Sequence, residues 1–429
     1  MNEKISRRQL LKALAAAVGG AGLCKMLGIP SLPGTAQDLD KHVYLPLVRK
    51  AGTAVPPPTA TATPTATATP TATATATATA TPTSTPTSPP TGSRVVHVHS
   101  DGATSWSGEP DYWNHVHQNV VDSMVDHGMM ALTGAATVAG AWQTLLPSYQ
   151  PGQGIAIKVN LNNAPQCSDA DAQIDALIQP INAVVRGLKQ MGVGEADIWI
   201  YDAIRAIPNR FVNGSLYGGL RYFGKLCQET ATFVSADPNA SVTFSPPTGI
   251  PTPPAAKITD VLVNATYLIN MPIMKIHGAG GGGVGITLSF KNHFGTIQKP
   301  SELHRYVGMS GDYYRSDYSP FLDLYQNPHV VGKTILTIGD GLFAAKTNNT
   351  APPEPWTTFG NKVPNSLFFA TDPVAIDCVM CDLLTAEVFI PDRADDHLLL
   401  AEAAGLGVFE RGDPWGSGYS QIDYQKIEL

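Results

Sequence analysis

"GIAIKVNLNN", residues 154–163, begins as an apolar run rich in β-branched residues and ends in polar side chains. This is the pattern of a buried strand at the point where it leaves a sheet. In residues 171–193, apolar side chains recur at helical spacing, with a kink predicted at Pro180. "ADIWIYDAIR", residues 196–205, is the next strand. Nearly continuous apolar strands joined by helices predict a mostly parallel sheet with helices on both faces.

The same alternation extends over most of the chain on either side of these segments. Strands are predicted in 93–100 and 332–344, helices in 109–134 and 285–295, a short helix before a strand in 258–277, and a strand before a helix in 365–384. The Pro-rich residues 232–254 and residues 304–323 are irregular insertions. The predicted fold class is therefore α/β, a mostly parallel doubly wound sheet with helices on both faces and irregular insertions.

The amino terminus resembles an export signal. "SRRQLLK", residues 6–12, has the form of a twin-arginine motif, and the apolar stretch that follows is too weakly apolar to span a membrane. Residues 1–36 are therefore interpreted as a twin-arginine signal peptide cleaved near Ala36. Two alternatives stay open: a lipid anchor on Cys24, and a frayed basic terminus of a cytosolic protein. The signal predicts the twin-arginine translocase as a partner and an extracellular or cell-envelope location.

The mature chain would start with a short segment, residues 37–50, followed by a linker. Residues 51–93 are almost entirely Thr, Ala, Pro and Ser and carry no charge, a composition that predicts a disordered, extended linker. Residues 94–429 are long enough for an α/β domain with its own core. They carry 20 Lys and Arg against 32 Asp and Glu, which argues against nucleic acid as a partner. In such an acidic domain, a local cluster of lysines is informative.

Cys378 and Cys381 have the spacing of a redox pair and would lie on one face of a helix. The helix around them is apolar, so packing as small hydrophobic side chains is the preferred interpretation. The chain lacks the dense cysteine spacing of an iron–sulfur site, so no such cluster is expected. No sequence feature fixes the oligomeric state.

Polar side chains stand where five of the predicted strands end. In an open parallel sheet, ligands bind beyond the carboxyl ends of the strands, so these side chains are candidates for one shared site. The candidates are Lys158 with Asn160, Asp202 with Arg205, Lys275 with His277, Asp340, and Asp372. Asp372 precedes Pro373 and is interpreted as a helix N-cap. For the others, the alternative is the ordinary polarity of loop starts.

A run of glycines follows one of these strand ends. Six of the eight residues 278–285 are glycine, which lets the backbone approach a ligand closely. The predicted helix after the run would present its positive end to an anion, although the spacing is not that of a Walker A loop. The predicted substrate-binding residues are Lys158, Asn160, Arg205, Lys275, Gly281, Gly283, Lys291 and Asn292. The alternative is a flexible glycine loop with its lysines in solvent.

Imidazole and carboxylate groups near the same strand ends would supply the chemistry. The predicted catalytic residues are His277, His293, Asp202 and Asp340, acting as general bases and orienting groups. The same side chains would suit a divalent metal, with both histidines and one of the carboxylates as ligands. A second candidate metal set is His97, His99 and Asp101, for which solvent-facing or hydrogen-bonded histidines are the alternative.

Several of these segments occur together in a known family. "ALTG", "IAIKVNLN", "MPIMKIH" with "GITLSFKNHFG", "TIGDGL" and "ATDPVAID" resemble motifs of the DUF362 family, and the resemblance covers nearly all of residues 94–429. It supports the α/β domain and the export signal but implies no particular reaction. Some relatives carry ferredoxin-like cysteine clusters, which are lacking here, so their electron-transfer role is not carried over.

The preferred functional interpretation is an exported enzyme that acts on a small anionic substrate, with a divalent metal as its candidate cofactor. One alternative is a linker-tethered module that binds an anion or a metal without turnover. Another is a surface interaction protein whose strand-end groups do not converge. The residues alone do not decide between turnover and binding.

Overall fold

The computed structural model describes residues 93–162, 166–168, 172–278, 285–308, 313–391 and 393–429. The predicted signal peptide, residues 37–50 and the linker up to residue 92 lie outside these ranges, as do Gly281 and Gly283. What was inferred for them stays a prediction. None of the described helices has the length and apolar character needed to cross a membrane.

One large sheet forms the centre of the domain. The described strands are β1 (Ser93–His99), β2 (Ile155–Val159), β3 (Ile198–Asp202), β4 (Arg221–Gly224), β5 (Glu229–Thr230), β6 (Ser241–Val242), β7 (Ala256–Lys257), β8 (Tyr267–Met271), β9 (Ile273–His277), β10 (Gly285–Thr287), β11 (Thr334–Ala345), β12 (Ser366–Ala370) and β13 (Ile422–Glu428). Eleven of these strands belong to the large sheet, while β6 and β7 form a separate antiparallel pair.

The strand order of the large sheet is β13-β1-β12-β11-β8-β2-β3-β4-β5, and β9 pairs with both β11 and β10. The block from β11 through β8, β2, β3 and β4 to β5 is parallel, as is the pair of β1 with β13. Antiparallel pairing is found for β12 with both of its neighbours and for β10 with β9. The predicted α/β class with a mostly parallel sheet is therefore confirmed.

Helices fill the connections between the strands. They are α1 (Gln118–Thr133), α2 (Val138–Leu145), α3 (Ile178–Gln190), α4 (Asn209–Gly214), α5 (Asp260–Asn264), α6 (Ser289–Asn292), α7 (Pro320–Tyr325), α8 (Pro328–Val331), α9 (Pro373–Glu387) and α10 (Arg393–Ala403). Short 3-10 helices occur at Tyr112–His115, Glu195–Asp197, Pro238–Ala240, His293–Thr296, Pro300–Tyr306 and Thr357–Phe359.

The two faces of the sheet carry separate hydrophobic cores, and β2 contributes to both. Ile155 and Ile157 belong to the core that also contains apolar residues of α1 and α3. Ala156 belongs to the other core, which contains apolar residues of α7 and α9. Because side chains alternate along a strand, Lys158 lies on the Ala156 face, where it is completely buried. The sheet thus holds a charged group within an otherwise apolar layer.

Two predicted helix features are wrong in detail. The helix α3 begins at Ile178, so Pro180 lies in its first turn and produces no kink. Proline is tolerated there because a first-turn N–H has no intrahelical partner. The predicted helix 109–134 is regular only from Gln118, and it ends, as predicted, at Gly134, whose φ is 72°. Asp372 caps α9 as expected, accepting hydrogen bonds from the backbone N–H groups of the second and third residues of that helix.

Three predictions also change near the expected ligand site. The predicted strand ending at His277 is divided by Pro272 into β8 and β9, since proline cannot donate a hydrogen bond to a neighbouring strand. Residues 285–295 form β10, the short helix α6 and a 3-10 turn, where one helix was predicted. The strand predicted over residues 332–344 forms β11, which extends to Ala345, five residues beyond the Asp340 that was placed at a strand end. Asp340 therefore lies inside β11 and not at its end.

The cysteines of the described region fall into two pairs. Cys378 and Cys381 are buried free thiols on α9, within a hydrophobic core, in agreement with the packing interpretation. Cys167 and Cys227 form a disulfide that the sequence analysis did not anticipate, with a Cα–Cα distance of 5.4 Å. It joins the segment after β2 to the segment after β4. Sixty residues separate the two cysteines, so nothing in their local spacing indicated the bond.

We expect the disulfide to stabilise the domain mainly by restricting the unfolded chain. Replacing Cys167 with Ser should lower the free energy of unfolding by about 4 kcal/mol, the loop-closure value for a separation of this size. Chemical denaturation with and without reductant measures this change in the free energy of unfolding. The Cys167→Ser/Cys227→Ser double variant is the control, since reductant should not affect its stability. Reaction of all four domain cysteines with a thiol reagent in the unfolded, unreduced protein would contradict the bond.

Candidate functional site

A cavity of about 470 Å³ lies beyond the carboxyl ends of β2, β3 and β9. Its other walls come from α6 with the turn after it and from the 3-10 helix Pro300–Tyr306. The lining residues are Asn160, Leu161, Asn162, Asp202, Ile204, Arg205, His277, Thr287, Lys291, Asn292, Phe294, Gly295, Pro300, Ser301, His304 and Asn349. This is the edge of the sheet at which parallel α/β folds bind their ligands.

Half of the predicted site residues line this cavity, namely Asn160, Asp202, Arg205, His277, Lys291 and Asn292. Lys158 and Lys275 are completely buried, and Lys158 bonds directly to two of the lining residues. Groups from distant parts of the sequence thus converge because the strands that carry them are close in the sheet and run in the same direction.

The buried ammonium group of Lys158 is held by partners on two other elements. Its Nζ donates to Asp202 Oδ2 at the end of β3 and to Asn292 Oδ1 on α6, both at 3.1 Å. Burial lowers the pKa of Lys158 from its ordinary value, and the carboxylate of Asp202 opposes that shift. The ion pair is thereby shielded from solvent and links β2, β3 and α6.

The amide of Asn292 extends this linkage to β8. Its Oδ1 also accepts from Asn160 Nδ2 at 2.9 Å, and its Nδ2 donates to Asn270 Oδ1 at 2.7 Å. Asn270 in turn donates to the backbone oxygen of Ser289 at 3.0 Å. The bonding partners fix both ends of the Asn292 amide, so the floor of the cavity is a connected polar network.

Gly295 is the place where a side chain would collide with this network. A Cβ at this position would lie 2.5 Å from Lys158 Nζ and 2.7 Å from Asp202 Oδ2. Its backbone oxygen accepts a hydrogen bond from the N–H of Ala203 at 2.8 Å, so the backbone there is tied to the residue after β3. Glycine is required because the main chain approaches the ion pair too closely for any side chain.

The start of α6 does not face an anion site, which corrects the prediction made for it. The backbone N–H groups of Ser289 and Phe290 donate to the two carboxylate oxygens of Asp377, at 2.9 and 3.5 Å. Burial raises the pKa of Asp377 to about 7. A side chain of α9 thus occupies the positive end of α6, and the positive charge that faces the cavity comes from side chains.

Lys275 is the most isolated charged group of the site. Its side chain on β9 is fully buried, and no hydrogen-bond partner for its Nζ is found among the described residues. Burial lowers its pKa to about 8. Asp175, which also influences this pKa, favours the charged form. Within the described ranges, Lys275 is therefore a lysine of the protein interior without a direct ion pair.

Three further polar atoms around the cavity are buried and lack partners among the described residues: Asn160 Oδ1, His277 Nδ1 and Thr287 Oγ1. Thr287 stands opposite Lys275 in the register of β10 with β9. Buried polar atoms are nearly always hydrogen-bonded. These three atoms and Lys275 Nζ therefore indicate a place where a bound molecule or water completes the bonding.

Lys291 and His304 contact each other in the cavity wall. Lys291 Nζ lies 3.3 Å from His304 Nε2 and 4.1 Å from the centre of the Phe294 ring. Burial, together with the nearby charges of Lys275 and Arg205, lowers the pKa of Lys291 to about 7. Lys291 therefore changes its charge near neutral pH, unlike an ordinary surface lysine.

The two histidines of the cavity lie one against the other. The rings of His277 and His304 stack with their centres 5.7 Å apart and their planes 27° from parallel. Burial lowers the pKa of His304 to about 4 and places that of His277 far below its usual range, and the positive charge of Lys291 adds to both shifts. Both imidazoles are thus neutral at neutral pH, and their surroundings oppose protonation.

The structure does not bring His293 and Asp340 to the cavity lining. His293 is buried behind it, with Nδ1 3.3 Å from Thr296 Oγ1 and its ring against Tyr325. Asp340 lies inside β11, where burial raises its pKa to about 7. The strand continues past Asp340, so this carboxyl cannot stand at the strand end where it was predicted.

The predicted metal-ligand sets do not assemble in the described part of the chain. No group of three or more His, Cys, Asp or Glu side chains there is arranged to hold a metal ion. Of the second set, His97 is bonded to Tyr424 and Ser366 through its two ring nitrogens, and His99 is bonded to Glu428. These histidines therefore satisfy the hydrogen-bonded alternative.

Sequence reasoning missed several residues of the site, among them His304, Asn270, Thr287 and Asp377. His304 belongs to an insertion, and Asn270 and Thr287 lie within strands, so none of them stands at a predicted strand end. Asp377 carried a usable signal, because a carboxylate among the apolar residues of α9 needs partners once it is buried.

The family model described as a domain of unknown function, DUF362, matches residues 155–382, which is more than half of the chain. The chain therefore belongs to the DUF362 family, as its motifs indicated. No curated protein matches it. The matched region contains the cavity and all of its lining residues.

We expect Gly295→Ala to disrupt the ion pair beneath the cavity. Overpacking of this kind lowers stability by about 1–3 kcal/mol, and here it would also displace Lys158 or Asp202. Thermal or chemical denaturation measures the loss. Gly218→Ala is the matched control, because a Cβ at Gly218 meets nothing within 4 Å. Equal stability of the two variants would show that the backbone at Gly295 has room for a side chain.

Proposed function

We propose that this member of the DUF362 family is an exported enzyme that binds a small anionic substrate in the cavity at the carboxyl ends of β2, β3 and β9. The observation that carries the proposal is the pair Lys275 and Lys291. Both side chains are buried, and among the described residues neither lies within 4 Å of a carboxylate. Burying an unpaired charge is strongly unfavourable, so a negatively charged ligand is the natural partner for such a pair.

The balance of charges around the cavity supports an anion. Lys158, Lys275, Lys291 and Arg205 supply positive charge, while Asp202 is engaged by Lys158. Asp175 is the other carboxylate that influences Lys275. The rest of the domain is acidic, so this local excess is not a consequence of overall composition.

Each group has a role that follows from its position. Arg205 and Lys291 line the cavity and would contact the anion directly, with the amides of Asn160 and Asn292 at its floor. Lys275 would act from beneath as a positive charge at neutral pH. His304, whose Nε2 lies 3.3 Å from Lys291 Nζ, is the candidate for proton transfer, and His277, which stays neutral, would form a hydrogen bond to the ligand. His293 and Asp340 have no direct role, because neither lines the cavity.

The proposal of export rests on the twin-arginine motif, residues 6–12, and is consistent with the disulfide. Disulfides persist in oxidising compartments outside the cytoplasm. Cys167 follows the lining residues Leu161 and Asn162 by six and five positions in the chain. The predicted linker, residues 51–93, would then separate the domain from the amino-terminal segment of the exported protein.

Anion binding should depend on pH through Lys291. Its pKa in the free protein is about 7, so the ammonium form that attracts an anion is fully present below this pH and is lost above it. We expect the affinity for sulfate, whose own charge is constant here, to fall up to about tenfold per pH unit above neutrality. Isothermal titration between about pH 6 and about pH 9 measures this.

Lys291→Arg is the matched control, because arginine keeps its charge over the whole range; the fall in affinity should then begin only near pH 8, where Lys275 loses its charge. Lys225→Arg, at an exposed lysine outside the cavity lining, should change nothing. Failure of sulfate, phosphate and small carboxylates to bind at any pH would reject the proposal. Binding of an anion that is always recovered unchanged would favour the linker-tethered binding module.

Export is tested by replacing both Arg7 and Arg8 with Lys, a change that impairs recognition by the twin-arginine translocase. We expect the variant to accumulate in the cytoplasm with Cys167 and Cys227 reduced, because the cytoplasm keeps thiols in that state. Cell fractionation and thiol labelling give the two readouts. Unaltered export of the variant would exclude this route.

A further inference from the structure

Lys291 differs from the other lysines of the site in a way that points to chemistry beyond holding an anion. It lines the cavity, whereas Lys158 and Lys275 do not. Only 7 % of its surface is exposed, yet among the described residues no carboxylate within 4 Å keeps it protonated. Its amino group contacts an imidazole and an aromatic ring. An amine in such surroundings loses its proton readily and becomes a nucleophile.

From this arrangement we infer that Lys291 forms a covalent imine with the carbonyl group of a small carboxylate-bearing substrate, such as a 2-oxo acid. The inference rests on the proposed anion-binding function and deepens it, because it names the substrate class. Arg205 and the amide of Asn160 would hold the carboxylate. The carbonyl carbon would then lie within reach of Lys291 Nζ.

The hydrogen bonding of His304 fixes which of its nitrogens faces the lysine. His304 Nδ1 lies 3.1 Å from the backbone oxygen of Ser301, which can only accept, so Nδ1 carries the proton. Nε2 is then unprotonated and lies 3.3 Å from Lys291 Nζ. His304 can therefore take a proton from the ammonium group of Lys291 and return it later. The pKa of about 7 supports this, since the free amine is well populated at neutral pH.

The reaction balances without an oxidant or reductant. His304 removes a proton from the ammonium group, and the nitrogen lone pair of Lys291 forms a bond to the carbonyl carbon. The carbonyl oxygen accepts the proton back, which gives a carbinolamine. This oxygen then leaves as water with a second proton from the nitrogen, while the nitrogen lone pair forms the carbon–nitrogen double bond. Ammonium and carbonyl become a protonated imine and one molecule of water.

The neighbours of Lys291 make its amine more reactive. The ring of His277 stacks against His304 and stays neutral, so it adds no positive charge beside the imine. The positive charge of Lys275 raises the reactivity of Lys291, because two ammonium groups in one buried site disfavour each other. A second cationic group beside the nucleophile is a recognised way of activating an imine-forming lysine.

Reductive trapping tests the inference on the full-length purified protein. Pyruvate and glyoxylate are the probes, each with sodium cyanoborohydride, followed by intact mass measurement and peptide mapping. With each probe at a saturating concentration, we expect a single adduct per chain on Lys291 and a trapping rate that rises with pH through about 7 and then levels off. Lys291→Arg should abolish the adduct, because a guanidinium group does not form an imine under these conditions.

Lactate separates the failure of this inference from the failure of the proposed function. It carries the carboxylate but no carbonyl, so it should stabilise the unaltered protein in a thermal-shift experiment, and it should slow trapping. Stabilisation by lactate without any pyruvate or glyoxylate adduct would overturn the imine but leave anion binding intact. An adduct on Lys275, or one spread over surface lysines such as Lys225, would also overturn it. No response to any of the anions would overturn the proposed function itself.

Discussion

The buried ion pair of Lys158 and Asp202 is the interaction on which the site depends. The two side chains come from the ends of adjacent parallel strands, and α6 closes over them through Asn292. A buried charge pair adds little net stability but is damaging when one partner is lost, so it enforces this arrangement more than it strengthens the fold. The absence of a side chain at Gly295 lets the backbone reach the pair. Strand ends, helix and backbone are thereby fixed with respect to one another, and the cavity acquires a rigid floor.

Two buried lysines near this floor lie in an electrostatically unfavourable environment. Lys275 and Lys291 are kept away from water without direct carboxylate partners among the described residues, and their pKa values are lowered to about 8 and about 7. Such an arrangement weakens the empty protein, because each shift means that the folded state disfavours the charged form. Sites of function are where folds tolerate this kind of unfavourable environment. In the function that we propose, the same feature would attract an anion and make an amine reactive.

Much of the site could be predicted from the sequence because most of the sheet is parallel. Lys158, Asn160, Asp202, Arg205 and His277 follow apolar strand runs, and parallel strands bring their carboxyl ends to one edge. Asp340 was wrongly placed at a strand end, because β11 continues beyond it with an irregular register. An apolar run in the sequence does not show at which residue the strand stops pairing with its neighbour. The prediction of an anion site at the start of α6 was wrong. Asp377, far away in the sequence, accepts a hydrogen bond from a backbone N–H group there. His304 was missed because irregular insertions have no periodicity from which a position can be inferred.

The sequence by itself determined the α/β class, the alternation of strands and helices, the cap at Asp372 and the strand-end residues that converge, because these follow from local periodicity and from the direction of parallel strands. The tertiary structure decided the pairings between distant segments: the Cys167–Cys227 bond, the placement of His304 beside Lys291, and the burial that alters the pKa values of the lysines. Those features depend on distances between groups far apart in the chain, and desolvation exists only once the neighbours that exclude water are in place.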